Sequence, residues 1–537
     1  MSGQQHGRPP GRAPKGRDHL FRARLDWLTK SGNGRLIRGG LRGLEKESLR
    51  VDASGRVSAR PHPPAIGSAL THPYLTTDYS EALVEFVTPP RSTNWQALQF
   101  LCDLHVFVHG RLDGGELLWP GSMPCVVDAN AEIPIAEYGS SNVGMMKTVY
   151  RRGLGHRYGR AMQAIAGVHF NLSLPEAFWQ AHWEETRSRK PLHDFRSERF
   201  LDLARNYRRY GWLVLYLFGA SPALCKSFRP EGHELLTELD RNTWHAPFAT
   251  SLRMSDIGYR NKTQARLNIS LNSPADYIAG LAAAVSTPEP RYTGIGVEVD
   301  GEYRQLNANI LQIENEYYSP IRPKPSKRYD ERPTVNLRRH GVEYVEIRTL
   351  DLNPADPVGV NQNQLRFLEA LLIYCLLADS PPISPEEQRE IDRRDLSVAR
   401  EGRLPRLELP RAGQAVPLRR WGLELLEQVR AVAELLDTDG NDYAAAVDAQ
   451  REAVEDAEAT PSARLLNELR SDKQSFFHYM LGVARSHHEY FSALTLAPAR
   501  AAELQELAAR SLEEQKALEA DDTEPFSRYL ARYFAET

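Results

Sequence analysis

The chain has 537 residues, of which 41% are hydrophobic and 26% charged, and its formal net charge is -3. This length predicts two to four structural units, and the small net charge gives no reason to expect a nucleic acid or a membrane as partner. Its four cysteines, Cys102, Cys125, Cys225 and Cys375, are far apart, which argues against a disulfide framework and a thiolate zinc site. A chain without a disulfide framework fits the reducing environment of the cytoplasm.

The N-terminal segment is basic and rich in glycine and proline, and it has no apolar stretch of the signal-peptide type. We expect residues 1–18 to form a disordered tail. The longest apolar stretch, residues 210–224, is shorter than the roughly 18 residues that span a bilayer, and Gly219 and Pro222 interrupt it. It is therefore predicted to be a buried core segment.

Short strand-like runs alternate with turns and helical stretches between about residues 35 and 350. The predicted strands are 44–51, 83–88, 168–174, 250–254, 294–299, 303–306, 310–317 and 344–350. Asp300-Gly301, flanked by alternating residues, predicts a β-hairpin. Because a regular strand–helix–strand rhythm is missing, we expect residues 19–360 to form an α+β region with a mainly antiparallel sheet.

Helical periodicity predominates from residue 361 to residue 537. Ser384, followed by Pro385 and two glutamates, is typical of the start of a helix. Further helices are predicted over residues 418–438, 443–457, 462–469, 473–483 and 498–519. We expect this region to form a large helical layer packed on the sheet.

The first predicted strand carries two carboxylates on the same face as two apolar side chains. Glu45, Glu47, Leu49 and Val51 alternate with their neighbours, so they point to one side. Since a buried carboxylate is costly unless it is paired or bound to a cation, this is either an exposed edge strand or one that faces a polar cavity. Polar residues alternate similarly in the strands predicted over 168–174, 310–317 and 344–350, which favours the cavity.

Acidic residues of these strands could form one metal site, namely Glu45, Glu47, Asp78, Glu85 and Glu346 together with one histidine. Oxygen-rich ligand sets suit Mg²⁺ better than zinc. Three arginines, Arg253, Arg322 and Arg348, could bind a carboxylate or a phosphate through two hydrogen bonds. Acids, magnesium and arginines together suggest phosphoryl transfer, and the absence of a P-loop sequence predicts that metal ions hold the nucleotide.

A series of short sequence blocks resembles the sequences of a known protein family. In chain order they are RGLEKESLRV, LTHPYLTTDYSEALVEFVTP, LWPGSMPC, YGSSNVGMMKTVYRRGL, GVHFNLSLP, YLFGASPA, ATSLRMSDIGY, QIENEYYSPIRPK and GVEYVEIRTLDLNP. They resemble the proteobacterial type of glutamate–cysteine ligase, which makes γ-glutamylcysteine in the first step of glutathione synthesis. The resemblance is dense over residues 35–360 and reappears in ADDTEPF at residues 520–526.

The resemblance implies a saddle-like, mainly antiparallel sheet similar to the catalytic domain of glutamine synthetase. It implies Mg²⁺, with Mn²⁺ as the alternative, held by Glu45, Glu47, Asp78, Glu85, His169 and Glu346. The implied substrate-binding residues are Tyr150, Arg151, Leu154, Gln163, Asn171, Tyr259 and Tyr318. Arg253 and Arg348 are implied to hold glutamate or the transferring phosphoryl group, and Arg322 is expected to bind the nucleotide.

The reaction that the resemblance implies joins the γ-carboxylate of L-glutamate to the amine of L-cysteine through γ-glutamyl phosphate, and converts ATP to ADP and phosphate. Glutathione is the expected feedback inhibitor. Three alternatives remain open at this point: a carboxylate–amine ligase that uses another amine, a magnesium-dependent phosphohydrolase, and a non-catalytic binding protein.

Overall fold

The computed structural model describes residues 17–30, 32–124, 133–228, 230, 232–258, 267, 269–326, 331–438 and 440–535. Most of the predicted disordered tail, residues 1–16, lies outside the described residues. The first helix begins at Arg17, inside the segment for which we expected disorder.

The described residues form fourteen strands. In chain order these are β1 (Leu41–Val51), β2 (Leu75–Thr77), β3 (Leu83–Val87), β4 (Leu117–Leu118), β5 (Val168–Ser173), β6 (Ala223–Cys225), β7 (Thr237–Asp240), β8 (Thr243–His245), β9 (Glu298–Val299), β10 (Glu302–Tyr303), β11 (Ile321–Lys324), β12 (Tyr344–Leu350), β13 (Glu408–Arg411) and β14 (Gln414–Pro417).

Helices surround these strands and dominate the C-terminal third. They are α1 (Arg17–Lys30), α2 (Asn94–His109), α3 (Asn142–Tyr158), α4 (Glu176–Glu185), α5 (Leu192–Tyr210), α6 (Trp212–Phe218), α7 (Pro274–Ser286), α8 (Pro290–Thr293), α9 (Pro333–His340), α10 (Gln362–Leu377), α11 (Pro385–Glu401), α12 (Leu418–Leu436), α13 (Asp442–Glu455), α14 (Pro461–Ser471), α15 (Phe476–Ala493), α16 (Pro498–Asp521) and α17 (Phe526–Ala535). Ser384 caps α11 as predicted, because its side chain accepts a hydrogen bond from the amide of Glu387.

The central sheet has seven strands in the order β11-β12-β5-β1-β3-β2, with β4 added to the end of β1. All of its strand pairs are antiparallel. The expected α+β class with a mainly antiparallel sheet is therefore confirmed. Because β1 lies between β5 and β3, the alternative that it is an exposed edge strand is wrong.

The register of the sheet gathers polar side chains on one face, which we call the acid face. Directly opposed residues of neighbouring strands point to the same side of a sheet. The opposed pairs that define the acid face are Glu45 and His169, Glu47 and Glu85, Asn171 and Glu346, and Arg322 and Glu346.

Helices cover the opposite face. Helix α2 packs on β1 and β3, α5 on β11 and β12, and α6 on β12, while the buried α10 packs on α5, α12 and α13. On this side β1 carries Lys46, whose Nζ lies 2.9 Å from the Oγ of Ser48 and 3.0 Å from the Nε2 of His105 on α2. The central strand therefore has charged side chains on both faces, which the sequence analysis did not anticipate.

Two predicted strands are wrong. Residues 250–254 form bends and turns in which the Oγ of Ser251 accepts a hydrogen bond from the amide of Met254. Within 310–317, Glu314–Glu316 form a short 3₁₀ helix, and the side chain of Glu316 accepts a hydrogen bond from the amide of Gln312. In both segments a side chain satisfies a backbone donor that a strand would need for its ladder.

The other expectations about the fold have mixed outcomes. The predicted hairpin exists, but β9 and β10 have only two residues each, and Asp300 and Gly301 both have positive φ at the turn. The apolar stretch contains α6, which is wholly buried. Among the described residues, no helix has both the length and the apolarity to cross a bilayer. Cys225 is disulfide-bonded, a single cross-link that the spacing of the cysteines did not predict.

Candidate active site

Three side chains from three neighbouring strands converge at the centre of the acid face. Glu45 on β1, His169 on β5 and Glu346 on β12 each offer a donor atom, and these atoms lie within 4.8 Å of one another. The Nδ1 of His169 is 3.0 Å from the Oε2 of Glu45 and 3.6 Å from the Oε1 of Glu346. Sheet pairing thus holds three potential metal ligands together.

Three more acids extend this group toward β2. The Oε1 of Glu47 is 3.6 Å from the Nε2 of His169, and its Oε2 accepts a hydrogen bond of 2.6 Å from the amide of Gly167. Glu85 lies opposite Glu47 in the β1–β3 ladder, and Asp78 lies in the turn before β3. Glu47, Glu85 and Asp78 interact through their charges beside the group of Glu45, His169 and Glu346, and we call these six residues the acid cluster.

Negative charge accumulates at this end of the cluster. Burial, followed by the charge of Asp78, raises the pKa of Glu47. Burial raises the pKa of Glu85 well above its usual range, and Asp78, Glu45 and Glu47 raise it further. Both pKa values are raised because burial and the like charges of the neighbouring carboxyl groups outweigh the nearby positive charges, such as Arg253 for Glu47 and Arg151 for Glu85.

Glu346 has the opposite environment. Although burial alone would raise its pKa, Lys324 and Arg348 hold it well below the usual range. The Nζ of Lys324 is 2.7 Å from the Oε2 of Glu346, and Arg348 donates a hydrogen bond to its Oε1. The site therefore contains an ionised carboxylate at β12 and crowded carboxyl groups at β3.

The donor atoms present fit a hard divalent cation. Five carboxyl groups and a single imidazole form an oxygen-rich set of the kind that suits Mg²⁺ or Mn²⁺. The Nε2 of His169 is buried and makes no hydrogen bond to the described residues, so it is available as a ligand. A cation here would also offset the repulsion among Glu47, Asp78 and Glu85.

The two predicted catalytic arginines border this cluster. The charges of Arg253 and Arg348 both act on Glu47, and the Nη2 of Arg253 donates a 3.0 Å hydrogen bond to the backbone oxygen of Arg348. Asp351 lies 3.7 Å from Arg253 and accepts hydrogen bonds from two serines and a backbone amide. Asp351 thus fixes the position of Arg253.

The predicted substrate residues of α3 lie beside Asp78. Arg151 donates hydrogen bonds to the backbone oxygens of Thr77 and Asp78, Leu154 is buried, and the backbone oxygen of Tyr150 accepts from Gln312. Helix α3 therefore borders the β2–β3 end of the acid face.

The other predicted substrate residues are placed as follows. Gln163 is buried, and its Nε2 makes no hydrogen bond. Asn171 donates to the Oε1 of Glu45 over 3.1 Å, and the hydroxyl of Tyr318 lies 3.2 Å from the Sδ of Met254. Tyr259 lies outside the described residues.

Arg322, the predicted nucleotide-binding residue, lies at the other end of the acid face, on β11. It donates hydrogen bonds to the backbone oxygens of Asn315 and Tyr317 and contributes to a cavity of about 380 Å³. Tyr277, Lys324 and Tyr344 also line this cavity. A cavity with two cations and aromatic rings at the edge of the acid cluster is suitable for a nucleotide.

Sequence reasoning missed three residues that shape the site. Lys324 alternates with Arg322 in the strand IRPK, and this pattern could have revealed it. Gly167 and Asp351 had no such signal, because Gly167 acts through its backbone amide on Glu47 and through the room that it leaves for Arg253, and Asp351 acts through Arg253. Arg253 passes so close to Gly167 that a Cβ there would overlap its guanidinium group.

Comparisons with known proteins identify the family of this chain. The profile of the family described as glutamate-cysteine ligase matches residues 25–398. The glutamate–cysteine ligase of Alcanivorax borkumensis is 48% identical over 519 residues, which cover 95% of this chain and 98% of that protein. The one from Pseudomonas aeruginosa is 47% identical over 518 residues, which cover 96% and 98%.

Solved structures give the same result. The glutamate–cysteine ligase of Francisella tularensis in complex with AMP has a TM-score of 0.87 and 34% identity, covering 93% of this chain and 98% of that chain. The bifunctional glutathione synthetase of Pasteurella multocida has a TM-score of 0.71 and 25% identity, covering 87% of this chain and 55% of that one. The extent and identity of these matches show that the chain belongs to the glutamate–cysteine ligase family.

Proposed function

We propose that the chain joins the γ-carboxylate of L-glutamate to the amine of L-cysteine at the expense of ATP, yielding γ-glutamylcysteine, ADP and phosphate. The observation that carries this proposal is the carboxylate cluster on the acid face of a chain whose relatives share the family over nearly its full length. The AMP in the Francisella tularensis structure supports ATP as the nucleotide.

The finer features of the fold are part of the proposal. We take the central sheet to be of the saddle-like type of glutamine synthetase, with residues 19–360 as the catalytic region and residues 361–537 as the helical region. The packing of α10 on α5 supports a helical region that buttresses the sheet. The cytoplasm, which supplies both amino acids and ATP, is the proposed location.

Glu45, Glu47, Asp78, Glu85, His169 and Glu346 are the proposed ligands of Mg²⁺, with Mn²⁺ as the alternative. When bound, such ions offset the negative charge of the ATP phosphates and of the transferring phosphoryl group.

The protein side chains orient the substrates. Arg253 and Arg348, next to Glu47, stabilise the charge on the phosphoryl group as a γ-carboxylate oxygen of glutamate attacks the terminal phosphorus and ADP leaves. The cysteine amine then attacks the acyl carbon of γ-glutamyl phosphate, phosphate leaves, and the amine gives up a proton. No protein nucleophile is needed, because ATP activates the carboxylate.

Substrate recognition is assigned to the surroundings of the cluster. Tyr150, Leu154, Gln163, Tyr259 and Tyr318 are the proposed surroundings of the cysteine side chain, with Arg151 and Asn171 as polar contacts, and Arg322 is proposed to bind the nucleotide. Because glutathione contains γ-glutamyl and cysteinyl groups, it should compete for the same site as a feedback inhibitor.

The test is phosphate release by the purified protein with ATP and Mg²⁺. We expect release to require both glutamate and cysteine, and to be accompanied by equimolar γ-glutamylcysteine. Steady release without an amine would instead indicate the phosphohydrolase, and faster release with putrescine than with cysteine would indicate a ligase for another amine. No release under any of these conditions would indicate a non-catalytic relative.

A further inference from the structure

Helix α3 presents two cations to the β2–β3 end of the acid face. Lys147 and Arg151 are one turn apart, so they lie on the same side of the helix. Both lie over the ring of the buried Tyr138, the Nζ of Lys147 at 5.2 Å and the Cζ of Arg151 at 4.5 Å from its centroid. The aromatic ring thus holds the two positive charges beside each other.

Neither cation has a carboxylate partner among the described residues. The hydrogen bonds of Arg151 go to the backbone oxygens of Thr77, Asp78 and Lys147, and the Nζ of Lys147 makes no hydrogen bond or ion pair in the described part of the chain. By contrast, Arg42 and Arg50 are buried and each paired with a glutamate. Two unpaired cations at one place are costly for the fold alone.

Lys147 is largely enclosed and close to the catalytic acids. Burial, followed by repulsion from Arg151, lowers the pKa of Lys147 to about 8, while the charge of Glu85 acts in the opposite direction. The charge of Arg151 likewise acts on Glu85. The two cations therefore border the acid cluster and are separate from Arg322 and Lys324, which lie on β11 at the other end of the sheet.

Two cations held side by side are the electrostatic complement of a carboxylate. The proposed function gives the nucleotide to Arg322 on β11, at the other end of the sheet, and the acids to the metal ions. Lys147 and Arg151 are therefore left for the α-carboxylate of an amino-acid substrate.

We propose that Lys147, together with Arg151, binds the α-carboxylate of an amino-acid substrate. This inference rests on the proposed function, and it adds to it a specificity residue that the sequence analysis did not name. The α-carboxylate could belong to glutamate or to cysteine, and the experiment distinguishes these two sources.

The test compares Lys147→Met and Lys147→Arg with the wild-type enzyme. For Lys147→Met we expect a KM about 10–100-fold higher for one amino acid, since a charge-assisted hydrogen bond is lost, and a KM for ATP within about twofold of wild type. Lys147→Arg should recover most of the affinity. Lys226→Met is the matched control, because Lys226 also lies over an aromatic ring, that of Trp244, but has Glu238 as its partner.

Substrate analogues that lack the α-carboxylate identify the source. Cysteamine replaces cysteine and 4-aminobutyrate replaces glutamate, and their affinities are measured by competition with the parent amino acid. If Lys147 binds the carboxylate of cysteine, cysteamine should bind wild type and Lys147→Met equally; if it binds that of glutamate, the same should hold for 4-aminobutyrate.

Three results would overturn the inference: unchanged KM values for both amino acids in a folded Lys147→Met, a rise in the KM for ATP alone, or a loss of affinity that persists with both analogues. Thermal unfolding of each variant checks that it is folded. If Lys147→Met does not fold, the KM values of Lys147→Arg still test the inference. Failure of the proposed function would differ, because wild type itself would release no phosphate with glutamate and cysteine.

Discussion

Glu85 and Glu47 lie directly opposite each other in the β1–β3 ladder, an arrangement that costs the fold stability because like charges repel. Burial raises the pKa of both groups, and each lies near Asp78. A protein that keeps such a pair trades stability for a site that attracts cations.

This trade-off predicts opposite effects of Glu85→Gln on stability and on activity. Without divalent cations the variant should be more stable by up to about 1 kcal/mol, because the amide keeps the shape and removes the charge. Its ligase activity should fall about 100-fold or more, the usual cost of losing a preorganised electrostatic contact. Urea unfolding with EDTA and the phosphate-release assay measure the two effects.

The matched control is Glu184→Gln on the surface of α4, which should change neither property measurably. A Glu85→Gln protein that is both less stable and fully active would contradict the assignment of this residue to the site.

Gly167 supports two residues of the site. Its amide donates a hydrogen bond to Glu47, and its missing side chain leaves room for Arg253. Gly167→Ala should displace the Arg253 guanidinium and lower kcat/KM about 100-fold, a typical cost of misplacing a catalytic group by about 1 Å. Steady-state kinetics with varied glutamate and ATP measure this.

Gly482→Ala on α15 is the control, because nothing lies within 4 Å of the added Cβ. It should leave the kinetics unchanged and stabilise the helix by roughly 0.5–1 kcal/mol. Full activity of Gly167→Ala would show that Arg253 does not need its present position.

The acids of the site could be predicted from sequence because alternation in a strand fixes the face of each side chain. Glu45 and Glu47 had to share a side once β1 was recognised. Asp351 and Gly167 could not be found in this way, since their importance depends on where the loop that carries Arg253 returns to the sheet.

At the scale of elements, helix α3 depends on the C-terminal segment. Asp522, at the end of α16, accepts hydrogen bonds from the amide and the Nδ2 of Asn142, the first residue of α3. Phe526 of α17 packs in a cluster with Val149 of α3. The segment after α16 therefore holds the helix that carries Tyr150 and Arg151.

Asp522→Ala should loosen the first turn of α3, because the backbone amide of Asn142 loses its acceptor, its Nδ2 keeps only the backbone oxygen of Glu524, and a negative charge is removed from a helix N-terminus. We expect faster amide hydrogen exchange in residues 142–146, with the exchange of β1 unchanged. Asp521→Ala, which alters the exposed neighbour, is the control. Equal exchange in the two variants would mean that Asp522 does not hold α3.

The packing of the helices and strands explains which of them could be predicted from the sequence. β12 has the predicted bounds, and the C-terminal helices were found, because their alternation or helical periodicity agrees with their packing. Residues 310–317 alternate equally well, yet Gln305, Asn307 and Glu316 bind the local backbone in place of a strand partner. A pattern of polar side chains cannot distinguish a cavity-facing strand from a loop that bonds to itself.

At the scale of the whole molecule, the packing of helices and loops around the sheet buries several histidines. Burial lowers the pKa of His62, His109 and His182 to about 3 each. His182 packs among the rings of Trp27, Phe178 and Phe195, and in the described part of the chain neither of its ring nitrogens has a hydrogen-bond partner. These histidines are neutral in the folded protein.

Buried neutral histidines predict a loss of stability in mild acid. Below pH 6.5, their ordinary pKa, the unfolded chain takes up protons that the folded protein refuses until about pH 3. Stability is therefore complete above pH 6.5 and falls as the pH decreases from there, by up to about 1.4 kcal/mol per pH unit for each such group. Urea unfolding at pH 7.5, 6.5 and 5.5 should show this decline in the free energy of unfolding.

The variant His182→Phe should make the decline shallower, since it removes one proton acceptor from the unfolded state. The control His19→Phe should not, because His19 is exposed in the folded protein. The raised pKa values of Glu47 and Glu85 act in the opposite direction, but equally in wild type and variant. An equally steep decline in wild type and His182→Phe would contradict the prediction that His182 remains neutral in the folded protein.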